Sequence, residues 1–353
     1  MATLRALVLR TRTARHSPHL SPGLPADEDV LLDAPDERLA PALVAAAHGD
    51  HGPAAGLLAA TRDAAEWEER DRYLTRLAAF ARSRDEWLRT WCATDPDDPD
   101  ALLLRAELAL TRAWGSPART ELLGRMTPLI VAATGVDPRD PVPWRLALDH
   151  ARGSGAGHRD FERLWGEAVS RSPHHYGCHV AALRYLASRW TGSYGACLDF
   201  AETAAQDARR DSLVQALPLR AAFSCLEADG GASVAGARLH AAADRAIGLS
   251  ARYAVGDPWP AEVRNLLAHV LAALERWEDA LTQLRMTGPY ATSFPWDRER
   301  GRDRERSGRD PLGAFLELRA RVAAAARPAP AVREARSFLS FGGRTGHVAR
   351  FDH

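Results

Sequence analysis

From Glu37 onward the apolar positions recur at helical spacing, segment after segment, with almost no alternating run of the kind that pairs as a strand. In DFERLWGEAVSR, Phe161, Leu164, Trp165, Ala168 and Val169 fall at i, i+3, i+4, i+7 and i+8, one stripe on one helix face. The next segment aligns Tyr176, Val180, Leu183, Ala187 and Trp190, and the one after it Tyr194, Leu198, Ala201 and Ala205. Helices this short do not persist alone in water, so each is expected to bury its stripe on neighbours. Between the last two, Trp190 closes a helix, Gly192 permits a turn and Ser193 is placed to cap the next helix. That break reads as a hinge between stacked helices, not as an active-site loop.

The punctuation between segments repeats: DPDDPDA at Asp95, DPRDPVPW at Asp137, SPHHYG at Ser172 and DPWPAEV at Asp257. Asp or Ser can cap the following helix, and Pro ends one helix or enters the first turn of the next. Pro96, Pro138 and Pro173 stand 42 and 35 residues apart (138 − 96 and 173 − 138), which suits helix-hairpin repeats of unequal length. The clearest hairpin is NLLAHVLAALERWEDALTQLR. Its first helix aligns Val263, Leu266, Leu267, Val270, Leu271 and Leu274, and its second Trp277, Ala280, Leu281 and Leu284.

This hairpin resembles a tetratricopeptide repeat: Ala268 and Ala280 take the small positions that let paired helices approach, and Trp277 the aromatic position opening the second helix. From about Pro128 to Ala205 the chain is also similar to an uncharacterised bacterial family of tetratricopeptide-like proteins, a domain of unknown function. The matching residues are Asp137, Pro138, Asp140, Pro141, Trp144, Pro173, His179, Trp190, Gly192, Ser193, Phe200 and Ala201, whereas Thr191 stands where that family often has Gly. The resemblance implies a helical-repeat fold and brings no activity with it.

The organisation expected is an Arg-rich, flexible N-terminal arm over 1–36, a helical-repeat solenoid over 37–290 and a mixed-charge loop over 291–310. A capping helix over 311–327 and a tail over 328–353 complete it. The loop alternates Arg with Asp and Glu and loses the helical period, as a solvated segment does. The capping helix offers Phe315, Leu318 and Val322 to a neighbour, and the tail holds Phe338, Phe341 and Phe351, side chains that usually dock, here on the chain's own groove or on another protein.

Composition narrows the function. The chain has 353 residues, 46% of them hydrophobic, enough to fill a core. All 46 basic residues are Arg, balanced by 46 acidic ones; the absence of Lys fits a GC-rich bacterial coding bias, and zero net charge argues against a general nucleic-acid binder. Cys92, Cys178, Cys197 and Cys225 show no CxxC spacing and read as reduced thiols of a cytoplasmic protein. The first residues carry Arg5, Arg10, Arg12 and Arg15 but no apolar core of a signal peptide, and no run approaches the roughly 20 apolar residues of a membrane span. That Arg cluster reads as a frayed arm, with no helix-turn-helix after it to read DNA.

Candidate chemistry is sparse. His175 and His179 are four apart and can share a helix face, so a metal site with Cys178 or a distant carboxylate as third ligand is the alternative reading. As a metal-dependent enzyme it lacks the intervening Glu of HExxH, and exposed His174 and His175 with a packed His179 account for HHYGCH better. Glu66, Glu68, Glu69 and Asp71 read as a polar helix face, with Glu66–Arg70 and Glu68–Arg72 as i, i+4 pairs, not as catalytic carboxylates. GGRTGH and GDHGPAAG lack the strand, helix and Lys of a phosphate loop. Of the ten Trp, those at 144, 165, 190 and 277 read as helix packing, and Trp259 and Trp296, beside prolines, as exposed.

The expectation is an all-α, tetratricopeptide-like solenoid acting as a non-catalytic interaction module, with no cofactor, no catalytic residue, no membrane and no nucleic acid. Its concave groove would take a peptide or partner protein. Arg145, His179, Arg184, Arg220 and Arg264 are the candidate groove residues, because an Arg-lined face favours acidic groups.

Overall fold

A computed structural model describes residues 23–135, 137–189, 194–297 and 310–326. Within them the chain is all-α, with fifteen α-helices. These are α1 Leu39–Ala47, α2 Gly52–Asp63, α3 Trp67–Ala81, α4 Glu86–Thr94, α5 Pro99–Trp114, α6 Arg119–Thr134, α7 Val142–Ser154 and α8 His158–Arg171. They continue with α9 Tyr176–Arg189, α10 Tyr194–Asp207, α11 Leu217–Asp229, α12 Gly236–Ser250, α13 Ala261–Ala273, α14 Trp277–Thr287 and α15 Pro311–Ala325. None is long and apolar enough to cross a membrane.

The helix ends follow the Asp-Pro punctuation. Asp98 caps α5, its carboxylate accepting from the amides of Asp100 and Ala101 at 2.8 and 3.0 Å, and Pro99 sits in the first turn, where no amide is needed. Asp140 accepts from Val142 N and Asp257 from Trp259 N, each at 2.8 Å. α7 and α11 stop at Gly155 and Gly230, whose φ of 74° and 69° is the left-handed conformation glycine adopts without strain. α9 ends and α10 begins on either side of the expected hinge, while Trp190, Gly192 and Ser193 themselves lie outside the described residues. Outside them too fall residues 1–22, 298–309 of the mixed-charge segment and the tail from 327.

The stripes are buried as their periods predict. α10 buries Leu198, Ala201 and Ala205, α8 buries Phe161 and Ala168, and Ala268 and Ala280 are fully buried between α13 and α14. Most consecutive helices pack on each other, and the odd-numbered helices also pack in series, α5 on α7, α7 on α9, α9 on α11 and α11 on α13. α3 departs from a simple series: besides α5 it reaches α7 and α9. Four clusters of buried side chains run along this array; one binds α13 and α14 to Phe315, Leu318 and Val322 of α15.

The two ends of the array meet. From Gly23 the segment expected as an arm is built into the fold: a 3-10 turn, Asp27–Asp29, leads into β1, Leu31–Leu32, which pairs in parallel with β2, Tyr290–Ala291. Leu31 N donates to Pro289 O and Asp33 N to Ala291 O, both at 2.8 Å. Val30 is buried in the core formed by α13, α14 and α15, and buried Arg319 of α15 pairs with Asp27 and donates to Pro25 O at 2.9 Å. Two-residue strands lie below what a period-2 pattern can reveal. Trp296, expected to be exposed, is 5% exposed because its ring lies on Phe315 and its Nε1 donates to Asn265 Oδ1 at 3.0 Å.

Asp33 ties this closure together, accepting from Ser293 N at 3.0 Å and pairing with Arg76 of α3 at 2.6 Å. Replacing it, Asp33→Ala, is expected to cost about 1–3 kcal/mol by leaving those donors without their acceptor. Urea denaturation measures the loss, and faster amide exchange at Leu31 in the same variant assigns it to the strand pairing.

Candidate functional site

α3 places three successive charges, Arg70, Asp71 and Arg72, against other parts of the molecule. Arg70 lies on the stripe of Tyr73, Leu74 and Leu77 and is 1% exposed. Its Nε pairs with Asp140 at 2.7 Å, one Nη with Asp100 at 2.6 Å, and the other donates to Leu58 O at 2.8 Å. Asp100 also pairs with Arg62 at 2.7 Å. The Asp-Pro turns before α5 and α7 thus supply counter-ions as well as caps. The expected pairing of Arg70 with Glu66 does not form: Glu66 pairs with Arg38 at 2.7 Å, since Arg70 is already held inside by two aspartates. The expected pairing of Arg72 with Glu68 is likewise replaced, Glu68 accepting from Tyr176 N at 2.7 Å. Burial pushes the Glu68 carboxyl above its usual range.

Asp71 and Arg72 face a cavity of about 560 Å³ walled by α3, α5, α7, α9, the start of α13 and the closing segments around Asp33 and Ser293. On its α7 side Arg145, 7% exposed, holds three carboxylates: Asp71 at 2.7 Å, Glu107 at 2.7 Å and Asp149 at 3.7 Å. Those neighbours raise the Arg145 pKa further against the opposing effect of burial, while burial raises Glu107. Arg220 is also committed, its Nε donating to Tyr176 Oη at 2.9 Å, an Nη pairing with Glu262, and its guanidinium lying over Phe294 at 4.3 Å. Arg72 stacks on Trp259 at 4.2 Å and donates to its carbonyl.

Arg184 differs from these. It lines the cavity from α9, part-buried, and among the described residues it makes no hydrogen bond, ion pair or ring contact. Burial, reinforced by the like charge of Arg220, lowers its pKa, and Asp149 and Glu262 offset this only in part. Arg152, beside it, is lowered mainly by burial too; its guanidinium lies over Trp114 at 4.0 Å and 3.6 Å from Asp149, and its buried Nε has no hydrogen-bond partner among the described residues.

Of the five groove candidates, the fold brings Arg145, Arg184 and Arg220 to one cavity. His179 and Arg264 lie elsewhere. Arg264 is fully buried and donates to Ser250 Oγ, Ser250 O, Tyr253 O and Met286 O at 2.9–3.0 Å, joining α12, α13 and α14. His179 packs edge-on against Trp165 and donates from Nδ1 to His175 O at 2.9 Å; burial lowers its pKa and keeps it neutral. For the metal alternative, both ring nitrogens of His175 are engaged, Nδ1 accepting from Cys178 N and Nε2 facing Trp67 O, each at 3.2 Å. Cys178 is a buried thiol raised by burial, and no group of three metal-ligating side chains occurs among the described residues.

Sequence reasoning missed Arg72, Arg152, Trp259 and Phe294 as cavity residues. One signal was available: Arg70 shares a helix face with Tyr73, Leu74 and Leu77, so the charges next to it had to point at other parts of the molecule. Searches against protein-family models, curated proteins and solved structures find no match for the chain.

The two central arginines are expected to respond oppositely to truncation. Arg145→Met strands Asp71, Glu107 and Asp149 and is expected to cost about 3–5 kcal/mol. Arg184→Met removes a charge without a partner and is expected to be neutral or to stabilise by about 1 kcal/mol or more; chemical denaturation of both variants checks the contrast. Gly177, in the first turn of α9, allows α3 close, because a Cβ there would collide with Asp71 Oδ2 and come 3.1 Å from His175 Cε1. Gly177→Ala is expected to lose about 1–3 kcal/mol in the same assay, since Asp71 is held by Arg145 and cannot swing aside.

Proposed function

We propose that the protein is a non-catalytic interaction module, a tetratricopeptide-like solenoid of helix hairpins that takes an acidic group of a partner protein in its central cavity. The serial packing of α5, α7, α9, α11 and α13, with intervening helices on their flanks, supports the hairpin reading, as do the small residues Ala268 and Ala280 at the α13–α14 contact. The observation that carries the functional reading is Arg184, a guanidinium with five donors and no acceptor among the described residues, in a cavity where Arg145 and Arg220 are saturated. A part-buried cation left without a counter-ion costs stability, and a ligand's carboxylate supplies the missing acceptor with charge-assisted bonds. Arg72 stacked on Trp259 offers a second, aromatic-backed contact on the opposite wall.

Arg184→Glu tests this reading. Capture of protein partners from a native lysate by the full chain is expected to fall at least about tenfold, as loss of a charge-assisted contact implies. The melting temperature should stay within a few degrees, because the new carboxylate has Arg152 and Arg220 beside it. Undiminished capture by a folded Arg184→Glu protein removes the cavity from the proposal.

A further inference from the structure

Behind Arg184 lies a second compartment of about 370 Å³ that shares Arg152, Val180, Arg184, Arg220 and Phe294 with the central cavity. Its chemistry is different. Among the described residues the central cavity is walled by eight carboxylate residues, including Asp71, Glu107, Asp149 and Glu262, whereas those lining the second include three arginines and no carboxylate. The rest of its wall is apolar or aromatic, with Leu183, Ala187, Phe223 and Phe294, and two hydroxyl-bearing residues, Tyr194 and Ser224. Its described wall is thus divided evenly between polar and apolar side chains, and a volume of this size lies within the range of small-molecule sites.

We propose that this compartment binds a free small monocarboxylic acid with an apolar or aromatic body, its carboxylate on Arg184 and Arg152 and its body against Phe223, Phe294 and Leu183. Geometry favours one carboxylate: among the described residues Arg184 holds no acceptor, whereas Arg145 and Arg220 already hold carboxylates, and its planar fork matches the two oxygens of a single carboxylate. Donor count agrees, because among the described residues Arg184 makes no hydrogen bond and the buried Nε of Arg152 has no partner. Arg220 contributes less to the carboxylate, being already paired with Glu262 and Tyr176, and instead holds Phe294 under its guanidinium to form the apolar wall. The site stands independently of the proposed partner; if both readings hold, the acid and the partner's acidic group compete for Arg184, which makes the acid a displacing effector.

The test is calorimetric titration of the full chain with 3-phenylpropanoate, its amide, phenyl phosphate and a pentapeptide ending in Phe. The carboxylate is expected to bind with a submillimolar Kd, to weaken at least about tenfold in Arg184→Met, and to be much preferred over the amide. In Ser224→Leu, which fills the compartment while leaving the arginines, binding should be lost. Equal binding of acid and amide, or undiminished binding in Arg184→Met, overturns the proposal. Preference for phenyl phosphate overturns the carboxylate assignment, and a pentapeptide binding more than about tenfold tighter than the free acid gives the compartment to a chain end instead. None of these readouts involves a protein partner, so failure here is distinguishable from failure of the interaction-module reading.

Discussion

Burying a guanidinium is costly unless counter-ions or other hydrogen-bond acceptors take up its donors. α3 imposes that condition on the whole molecule. Arg70 turns away from the cavity to the two Asp-Pro turns, Asp71 into it to the α7 arginine, and Arg72 across it to Trp259 ahead of α13. Each contact joins segments far apart in the chain, and each is broken if α3 moves. The fold is therefore held at its centre by ion pairs and at its periphery by alanine- and leucine-rich helix packing. The central contacts set which helix faces inward, because an apolar stripe alone tolerates some rotation and a bidentate guanidinium does not.

Closure of the array follows from the same economy of polar groups. Asp33 serves both the strand pairing and Arg76 on α3, so the segment that joins the two ends also forms one wall of the cavity. The arginines along that wall differ in how they are paired. Arg145 and Arg220 belong to the scaffold, since their donors are consumed by carboxylates and a phenol. Arg184 is held in the same environment with no hydrogen-bond acceptor among the described residues.

The histidines show how a plausible chemical motif becomes structural. The i, i+4 spacing of His175 and His179 does put both on α9 or its entry, but His175 is used to bind the start of α9 to the start of α3 and His179 donates within its own turn. Spacing specifies a shared face; it does not specify what the ring nitrogens meet.

Helix periods, Asp caps and first-turn prolines were legible in the chain, because they arise from interactions within a few residues. The burial of Ala268 and Ala280 was legible for the same reason, as was a helix at α15. The residues that form the cavity were legible only in part. Arg145, Arg184 and Arg220 stood out as cations on helices, but nothing local distinguished the two that are neutralised from the one that is not. That distinction depends on partners 40 or more residues away, such as Glu262 for Arg220 and Asp71 for Arg145. The two-residue strands that close the array were beyond the sequence for a related reason: neither has a stabilising pattern of its own, and each exists only because tertiary packing brings Leu31 beside Pro289. Local order came from the sequence, and the pairing of charges, hence the site, came from the tertiary structure, since electrostatic partners are chosen by proximity in space.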